Sequence, residues 1–300
     1  MILLTGATGF IGSRLLAALL DSGQKVLAVK RSFSNIEKIS NYSDNGNLVL
    51  FDLDIRDIKE IFDLYEIDAI VHMATEYGRG DKLVADILEA NVIFPMRLAE
   101  LGKKHGVKCF INTDSYFNKN GSSYSNLQTY SRSKKDVLSW LNQLGGEMKV
   151  INVILEHVYG PFDSSTKFVE SLIQNIGVKQ VSEIALTHGH QKRDFIYLDD
   201  VVNAYIKIIQ HGTTEKFPTK IFELGTGDSV EVRKFVELLK EISSSKTTLS
   251  FGDIPYRSDE IMDSKADISA LQQLGWSSEV KIKSGIEKIL KAYKLNCGIG

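Results

Sequence analysis

The sequence predicts an α/β fold, a doubly wound parallel sheet followed by a smaller, mostly helical C-terminal region. Three observations carry this. Short apolar runs alternate with longer amphipathic stretches as far as residue 155. A glycine-rich turn joins the first run to the first amphipathic stretch. Beyond residue 160 the pattern loosens and turn-forming Gly and Ser become frequent.

In chain order, Ile2–Thr5, Lys25–Lys30, Leu48–Phe51, Ala69–Ala74, Lys108–Thr113 and Val150–Leu155 read as strands. Their near-continuous apolar character suits strands covered on both faces. Phe10–Asp21, Asp86–His105 and Leu127–Leu144 read as the helices between them. Helical patterns resume at Phe168–Ile176, Asp200–Gln210, Val232–Ile242 and Ser284–Tyr293. The expected division is residues 1–160 as one domain and 161–300 as a second region, with some segments returning to the first.

Composition excludes several classes. Of 300 residues, 43% are hydrophobic and 25% charged, the balance of an ordinary globular protein. A net charge of -2 supplies no basic field for nucleic acid or anionic membrane. The two cysteines, Cys109 and Cys297, are far apart and outside any metal-binding spacing, so neither a disulfide framework nor a zinc site is expected. The opening MILLTGATG reads as a strand and not as a leader peptide, and the expected location is the cytoplasm.

Thr5-Gly6-Ala7-Thr8-Gly9-Phe10-Ile11-Gly12 sits at a strand–turn–helix junction. Glycines there let the backbone approach a pyrophosphate, and the helix N-terminus offers oriented N–H groups. Residues 1–160 therefore read as a Rossmann-type dinucleotide-binding domain. The second strand should end beside the adenosine ribose. It offers Lys30, Arg31 and Ser32, two cations and a hydroxyl, which favour NADP(H) over NAD(H) by charge pairing with a 2′-phosphate. Just after the third strand, Asp54 is expected to bond the adenine amino group with Ile55 packing nearby, and Asp52-Leu53 presents the same pattern two residues earlier.

Tyr130 and Lys134 are four apart at the start of a helical pattern, on one helix face. An ammonium beside a phenol stabilises the tyrosinate, so Tyr130 is expected to have a lowered pKa and to exchange a proton near neutral pH. Thr113-Asp114-Ser115 ends the fifth strand, where a hydroxyl can bond the same substrate oxygen.

GxxGxxG at Gly6, Gly9 and Gly12 together with YxxxK at Tyr130 and Lys134 resembles the extended short-chain dehydrogenase/reductases. The resemblance runs through most of the chain: His72-Met73-Ala74, Asn91, Tyr159-Gly160-Pro161, Arg193-Asp194-Phe195-Ile196-Tyr197 and Leu274-Gly275-Trp276 are similar to the nucleotide-sugar branch. It implies that Lys134 also contacts the nicotinamide ribose and that Thr113 is the hydroxyl of the catalytic triad, with Ser115 second. It further implies that Ala74, Thr75, Asn91 and His157 lie at the cofactor, and that Glu76, Tyr77, Asp114, Ser115, Lys167, Phe168, Arg193 and Arg257 lie at the substrate. The helices at 86–105 and 127–144 pair two subunits in that family, so a homodimer is expected.

A narrower resemblance lies in Ala74-Thr75-Glu76-Tyr77-Gly78, Asn112-Thr113-Asp114-Ser115-Tyr116-Phe117, Leu155-Glu156-His157-Val158-Tyr159-Gly160-Pro161 and Asp259-Glu260-Ile261-Met262. These segments are similar to the CDP-abequose and CDP-paratose synthase group, which reduces the 4-keto group of a CDP-3,6-dideoxyhexose with NADPH. The chain departs from the wider family at His157, where an asparagine is usual. Ser115 stands where 4,6-dehydratases carry glutamate, which counts against dehydration. Two other readings remain: an NAD-dependent 4-epimerase, and a non-catalytic NADP-binding regulatory protein, which would be expected to lose Tyr130 or Lys134. Residue types alone leave the base open among CDP, dTDP, GDP and UDP. His188 and His190 lack further ligands for a metal, His72 and Cys109 read as structural, and Asp199 or Asp200 as a helix cap.

Overall fold

The computed structural model describes residues 1–121, 127–144, 146–214 and 220–296; Cys297 lies outside them. The chain divides into two compact units, Met1–Leu155 with Val202–Phe222, and Glu156–Val201 with Glu223–Gly300.

The first unit is built on β1 (Ile2–Thr5), β2 (Val26–Lys30), β3 (Leu48–Asp52), β4 (Ala69–His72), β5 (Cys109–Ser115) and β6 (Lys149–Leu155). With a seventh strand, Lys220–Leu224, they form one sheet in which β6, β5, β4, β1, β2 and β3 follow in that order, the seventh strand lying outside β6. Every pairing from β6 through β3 is parallel. All four residues of β1 and of β4 are buried, as strands covered on both faces must be. Chain order reverses between β1 and β4, so the carboxyl ends of these strands open the crevice where this topology takes a ligand. Thr5 lies opposite both Val29 and His72 there.

The flanking helices are α1 (Phe10–Asp21), α2 (Lys59–Leu64), α3 (Val84–Leu88), α4 (Phe94–Lys104) and α5 (Gln128–Gln143). The stretch expected as one helix over 86–105 is α3, a π-helical turn at Glu89–Ile93, and α4. Pro95 explains the break, because proline has no N–H for the carbonyl of Asn91 four residues earlier. The periodicity did not announce α2, which at six residues is too short to show a period.

The second unit is less helical than expected and carries three small sheets among the described residues. Its strands are β7 (His157–Tyr159), β8 (Glu183–Leu186), β9 (Lys192–Arg193) and β10 (Phe195–Tyr197), then, after the seventh sheet strand counted as β11, β12 (Val230–Glu231), β13 (Thr248–Phe251) and β14 (Asp263–Ser264). Its helices are α6 (Phe168–Leu172), the first residues of α7 (Leu198–Thr214), α8 (Val232–Ser243), α9 (Ser269–Gln272) and α10 (Ile282–Asn296). Tyr159, Phe195, Phe235 and Ile286 fill its core. Asp194 is its polar hub, a fully buried carboxylate that accepts from the N–H groups of Thr226, Gly227 and Ala266.

Candidate active site

The cradle rests on two close backbone approaches. Gly6 adopts φ 70°, and a Cβ there would sit 2.7 Å from the Ala74 nitrogen. A Cβ on Gly12 would lie 2.1 Å from the Gly6 carbonyl oxygen. Glycine is therefore required at both positions for the turn to close under α1. The first intrahelical bond runs from Ser13 N to Gly9 O at 3.0 Å, so the N–H groups of the first turn have no acceptor within the helix. No acidic side chain occupies that turn. Thr8, Phe10 and Ile11 stand half-buried around it. These residues fit the pyrophosphate of a dinucleotide.

Thr5 fastens the cradle to β4. Its hydroxyl oxygen accepts from Met73 N at 3.2 Å and Ala74 N at 3.1 Å, leaving its single hydrogen for His72 Nδ1 at 2.9 Å. His72 is thus a neutral imidazole protonated on Nε2, and burial pushes its pKa well below the usual value. It is a structural member of the crevice.

At the ends of β2 and β3 the expected cations are partnered. Lys30 Nζ pairs with Asp52 at 2.5 Å and its side chain is only 18% exposed, which withdraws it from a 2′-phosphate. This hydrogen bond holds the Asp52 carboxyl below the ordinary range. Arg31 uses Nε on Asp54 at 2.5 Å, yet its side chain remains 56% exposed. Asp54 also accepts from Ser32 N at 2.8 Å, and Ser32 Oγ donates to Asp52 at 2.9 Å. Asp54 therefore holds the β2 loop, and Ile55 beside it is 76% exposed.

Tyr130 and Lys134 occupy the first turns of α5, buried against β5. Lys134 is 2% exposed and its ammonium donates to the Thr113 carbonyl oxygen at 2.9 Å. Burial lowers its pKa to about 8, with the Asp114 carboxylate opposing the fall. The Tyr130 phenol departs from expectation, for its pKa lies well above the ordinary value. Burial is the main cause and Tyr77 the next, while a hydrogen bond with Ser115 pulls the other way. Lys134 Nζ lies 6.0 Å from the ring centroid.

The three residues at the end of β5 separate. Ser115 lies near enough to Tyr130 to pull its pKa down. The Thr113 hydroxyl instead pairs with the Tyr205 hydroxyl of α7 at 2.7 Å. Asp114, expected at the substrate, is 3% exposed and turned into a polar ladder. Its carboxylate accepts from Ser115 N at 2.7 Å, Asn118 Nδ2 at 2.7 Å and Asn152 Nδ2 at 3.1 Å, and Asn112 bonds Asn152 at 2.7 Å behind it. Alternation along the strand turns Asp114 away from Thr113 and Ser115, since neighbouring side chains face opposite ways.

Asn91 likewise acts through its neighbours. Fully buried, it accepts from Glu76 N at 2.8 Å and Thr75 Oγ1 at 3.3 Å and donates to Glu76 O at 2.8 Å and Ser133 Oγ at 3.0 Å. Both amide hydrogens are used, so it ties the Thr75–Glu76 loop to α5. That loop lays Tyr77 on Tyr130, with ring centroids 4.9 Å apart. Ser133, Asn152 and Tyr205 escaped the sequence reading. Tyr205 sits on the apolar face of α7, where only its hydroxyl marks it out.

In the second unit Arg193 is 6% exposed, its guanidinium bonded to Glu260 and to the carbonyl oxygens of Lys192 and Ile261. This buried ion pair orients it more tightly than the solvated loop charge a sequence would suggest. Lys167 pairs with Asp163 at 2.9 Å, Phe168 is 47% exposed, and Arg257 is exposed. The His157 ring stands edge-on to Phe195, and burial with the Arg193 charge lowers its pKa to about 3, so it is neutral.

A glycine cradle at the sheet's switch point with a buried Tyr/Lys pair beside it defines a nicotinamide-dependent enzyme of the short-chain dehydrogenase/reductase type. Residues 2–225 match the NAD-dependent epimerase/dehydratase family, and the chain belongs to it. It is 38% identical to a CDP-abequose synthase of Salmonella muenchen over 294 residues, covering 96% of each chain. The CDP-abequose synthase of Salmonella typhimurium is 36% identical over 298 residues, 97% of each. Among solved structures, UDP-glucose 4-epimerase from Thermotoga maritima with UDP-glucose superposes with a TM-score of 0.83 at 24% identity, over 99% of both chains. UDP-glucuronic acid 4-epimerase from Bacillus cereus, with UDP-glucuronic acid and NAD, gives 0.82 at 22% identity, over 98% of this chain and 99% of that one.

Proposed function

We propose that the chain is an NADPH-dependent reductase of the 4-keto group of a nucleotide-linked deoxyhexose, CDP-4-keto-3,6-dideoxyglucose being the favoured substrate. The observation that carries this reading is the buried Tyr130 on α5, one turn from Lys134, whose ammonium donates to the Thr113 carbonyl oxygen at the end of β5. A protonated phenol is the form that donates to a nascent C4 alkoxide. When bound, a reduced nicotinamide supplies the hydride to that carbon. The backbone N–H groups of the α1 end hold the pyrophosphate, and a hydroxyl of Thr113 or Ser115 shares the carbonyl oxygen with Tyr130. Lys134 stabilises the tyrosinate left behind, in a site dry enough for its charge to act strongly.

A 4-epimerase would differ in interconverting sugars without net consumption of NADPH. A dehydratase needs an acid at the leaving hydroxyl, whereas Asp114 is committed to three donors. The exposed Arg31 supports NADP(H), because only its Nε is committed to Asp54. The Salmonella similarities support a CDP-linked substrate and a place in bacterial surface-polysaccharide synthesis. Exposed Ile93 ahead of α4 and Trp140 on α5 support a homodimer through those helices. No described helix is long and apolar enough to cross a membrane, and we place the protein in the cytoplasm. Tyr130→Phe tests the reading: turnover should fall by about a hundredfold or more with cofactor binding kept, and turnover near the wild-type rate overturns it.

A further inference from the structure

Tyr205 is fully buried on α7, and its hydroxyl oxygen lies 2.7 Å from that of Thr113 at the end of β5. Both residues share one compact unit with Tyr130 and Lys134. A phenol carries a single hydrogen, and a buried O–H requires an acceptor. Among the described residues the Tyr205 hydroxyl pairs with that of Thr113 and with no other group. Tyr205 therefore donates and Thr113 accepts, because the reverse would leave the phenol hydrogen buried and unused. Burial raises the Tyr205 pKa and the Thr113 contact opposes the rise, so the phenol remains a neutral donor.

A threonine hydroxyl that accepts from one side keeps its own hydrogen for a second partner. Thr113 is half-buried, and its carbonyl oxygen is fixed by Lys134 Nζ at 2.9 Å. With the backbone held there, the side chain keeps its rotation among staggered χ1 wells. The Tyr205 bond selects one well and occupies a lone pair, so the Thr113 hydrogen is turned away from α7. A hydroxyl that accepts a hydrogen bond is also polarised into a stronger donor.

We propose that Tyr205 is a positioning residue: it donates to Thr113 and thereby aims the Thr113 hydrogen at the substrate oxygen that Tyr130 serves. This rests on the ketoreductase reading above, with Thr113 as the β5 hydroxyl, and deepens it. Tyr205 acts through Thr113 alone.

Tyr205→Phe removes one oxygen and tests the assignment. Keto-sugar reduction is followed by NADPH absorbance, and thermal unfolding checks the fold. With every χ1 well open to Thr113, kcat should fall about threefold to tenfold, while KM for the sugar stays within about twofold of wild type. Thr113→Val should lower kcat about a hundredfold, and adding Tyr205→Phe to it should cost nothing further. A Tyr205 with a structural role only would slow both backgrounds alike, and that result overturns the proposal. So does wild-type kcat in Tyr205→Phe. A substrate-free readout stands apart from the reductase reading. In protein carrying tyrosine labelled with 13C at Cζ, the Tyr205 resonance is assigned by its absence in Tyr205→Phe. Loss of the acceptor in Thr113→Val should move it upfield, and Thr113→Ser should leave it in place. A resonance that stays or moves downfield in Thr113→Val overturns the donor assignment. If the wild-type protein shows no reduction, the reductase reading falls, and the resonance alone decides whether Tyr205 donates to Thr113.

Discussion

The ring of Tyr77 lies stacked on that of Tyr130, centroids 4.9 Å apart and planes inclined by 25°. Phe117 meets the same ring edge-on at 6.5 Å. The Tyr130 phenol is thus enclosed by aromatic surface, and burial, with Tyr77 next, raises its pKa. Tyr77 is held there by the Thr75–Glu76 loop, itself pinned through Asn91 to α5. The loop that covers Tyr130 and the helix that carries it therefore form one assembly.

Removing the stack should act on stability and on acidity together. Tyr77→Ala is expected to lower the free energy of unfolding by about 1 kcal/mol, the ordinary worth of an aromatic pair. By admitting water it should also bring the phenol pKa down toward 10. Tyr77→Phe keeps the ring and should match wild type in stability. Urea denaturation of both variants checks this, and equal stability of Tyr77→Ala and Tyr77→Phe would contradict it.

Asp114 should govern the alkaline side of the pH profile. Lys134 has its folded pKa depressed to about 8 by burial, and Asp114 limits that depression. His72 on β4 and Tyr205 on α7 also lie near, both neutral, burial lowering the first pKa and raising the second. Activity that needs the ammonium is full below this pKa and is lost as pH rises through it. Replacing Asp114 by Asn removes the anion, so the folded pKa falls further and the alkaline limb of kcat/KM moves to lower pH. An unmoved limb would show that another group sets it.

Arg31 should decide the cofactor. A hydrogen bond to a charged group contributes about 1.5–3 kcal/mol, so Arg31→Ala should raise KM for NADPH roughly tenfold to a hundredfold and leave that for NADH unchanged. Lys30→Ala should do little, because Lys30 is already spent on Asp52. Steady-state kinetics with both cofactors check this; an equal effect on the two would contradict it.

The cradle should tolerate no side chain. Gly12→Ala drives a methyl group into the Gly6 carbonyl, and Gly6→Ala adds the roughly 1–2 kcal/mol cost of a left-handed backbone. Both variants are expected to lose NADPH binding in fluorescence titration. Binding by Gly12→Ala at wild-type affinity would contradict the cradle geometry.

Much of this was legible in the sequence. The run Ile2–Thr5 and the stretch Phe10–Asp21 became β1 and α1 with their boundaries intact, because a buried strand and an amphipathic helix each repeat over enough residues to show a period. The cradle and Tyr130/Lys134 were legible because their spacing is their chemistry. What stayed hidden is tertiary. Nothing local shows that Tyr205 of α7 reaches Thr113, that Asp52 and Asp54 on one loop neutralise cations on another, or that Asn91 spends its amide on Ser133. The direction of the Tyr130 pKa also depended on burial that residue types do not carry.

The most direct test of the central claim is the oxidation of NADPH, followed by its absorbance, with CDP-4-keto-3,6-dideoxyglucose as substrate and the dTDP and GDP 4-keto-6-deoxy sugars alongside. The account predicts stoichiometric oxidation of NADPH with the CDP-linked sugar. No oxidation with any of them, in a protein that carries NAD through purification and interconverts sugar epimers, would contradict it.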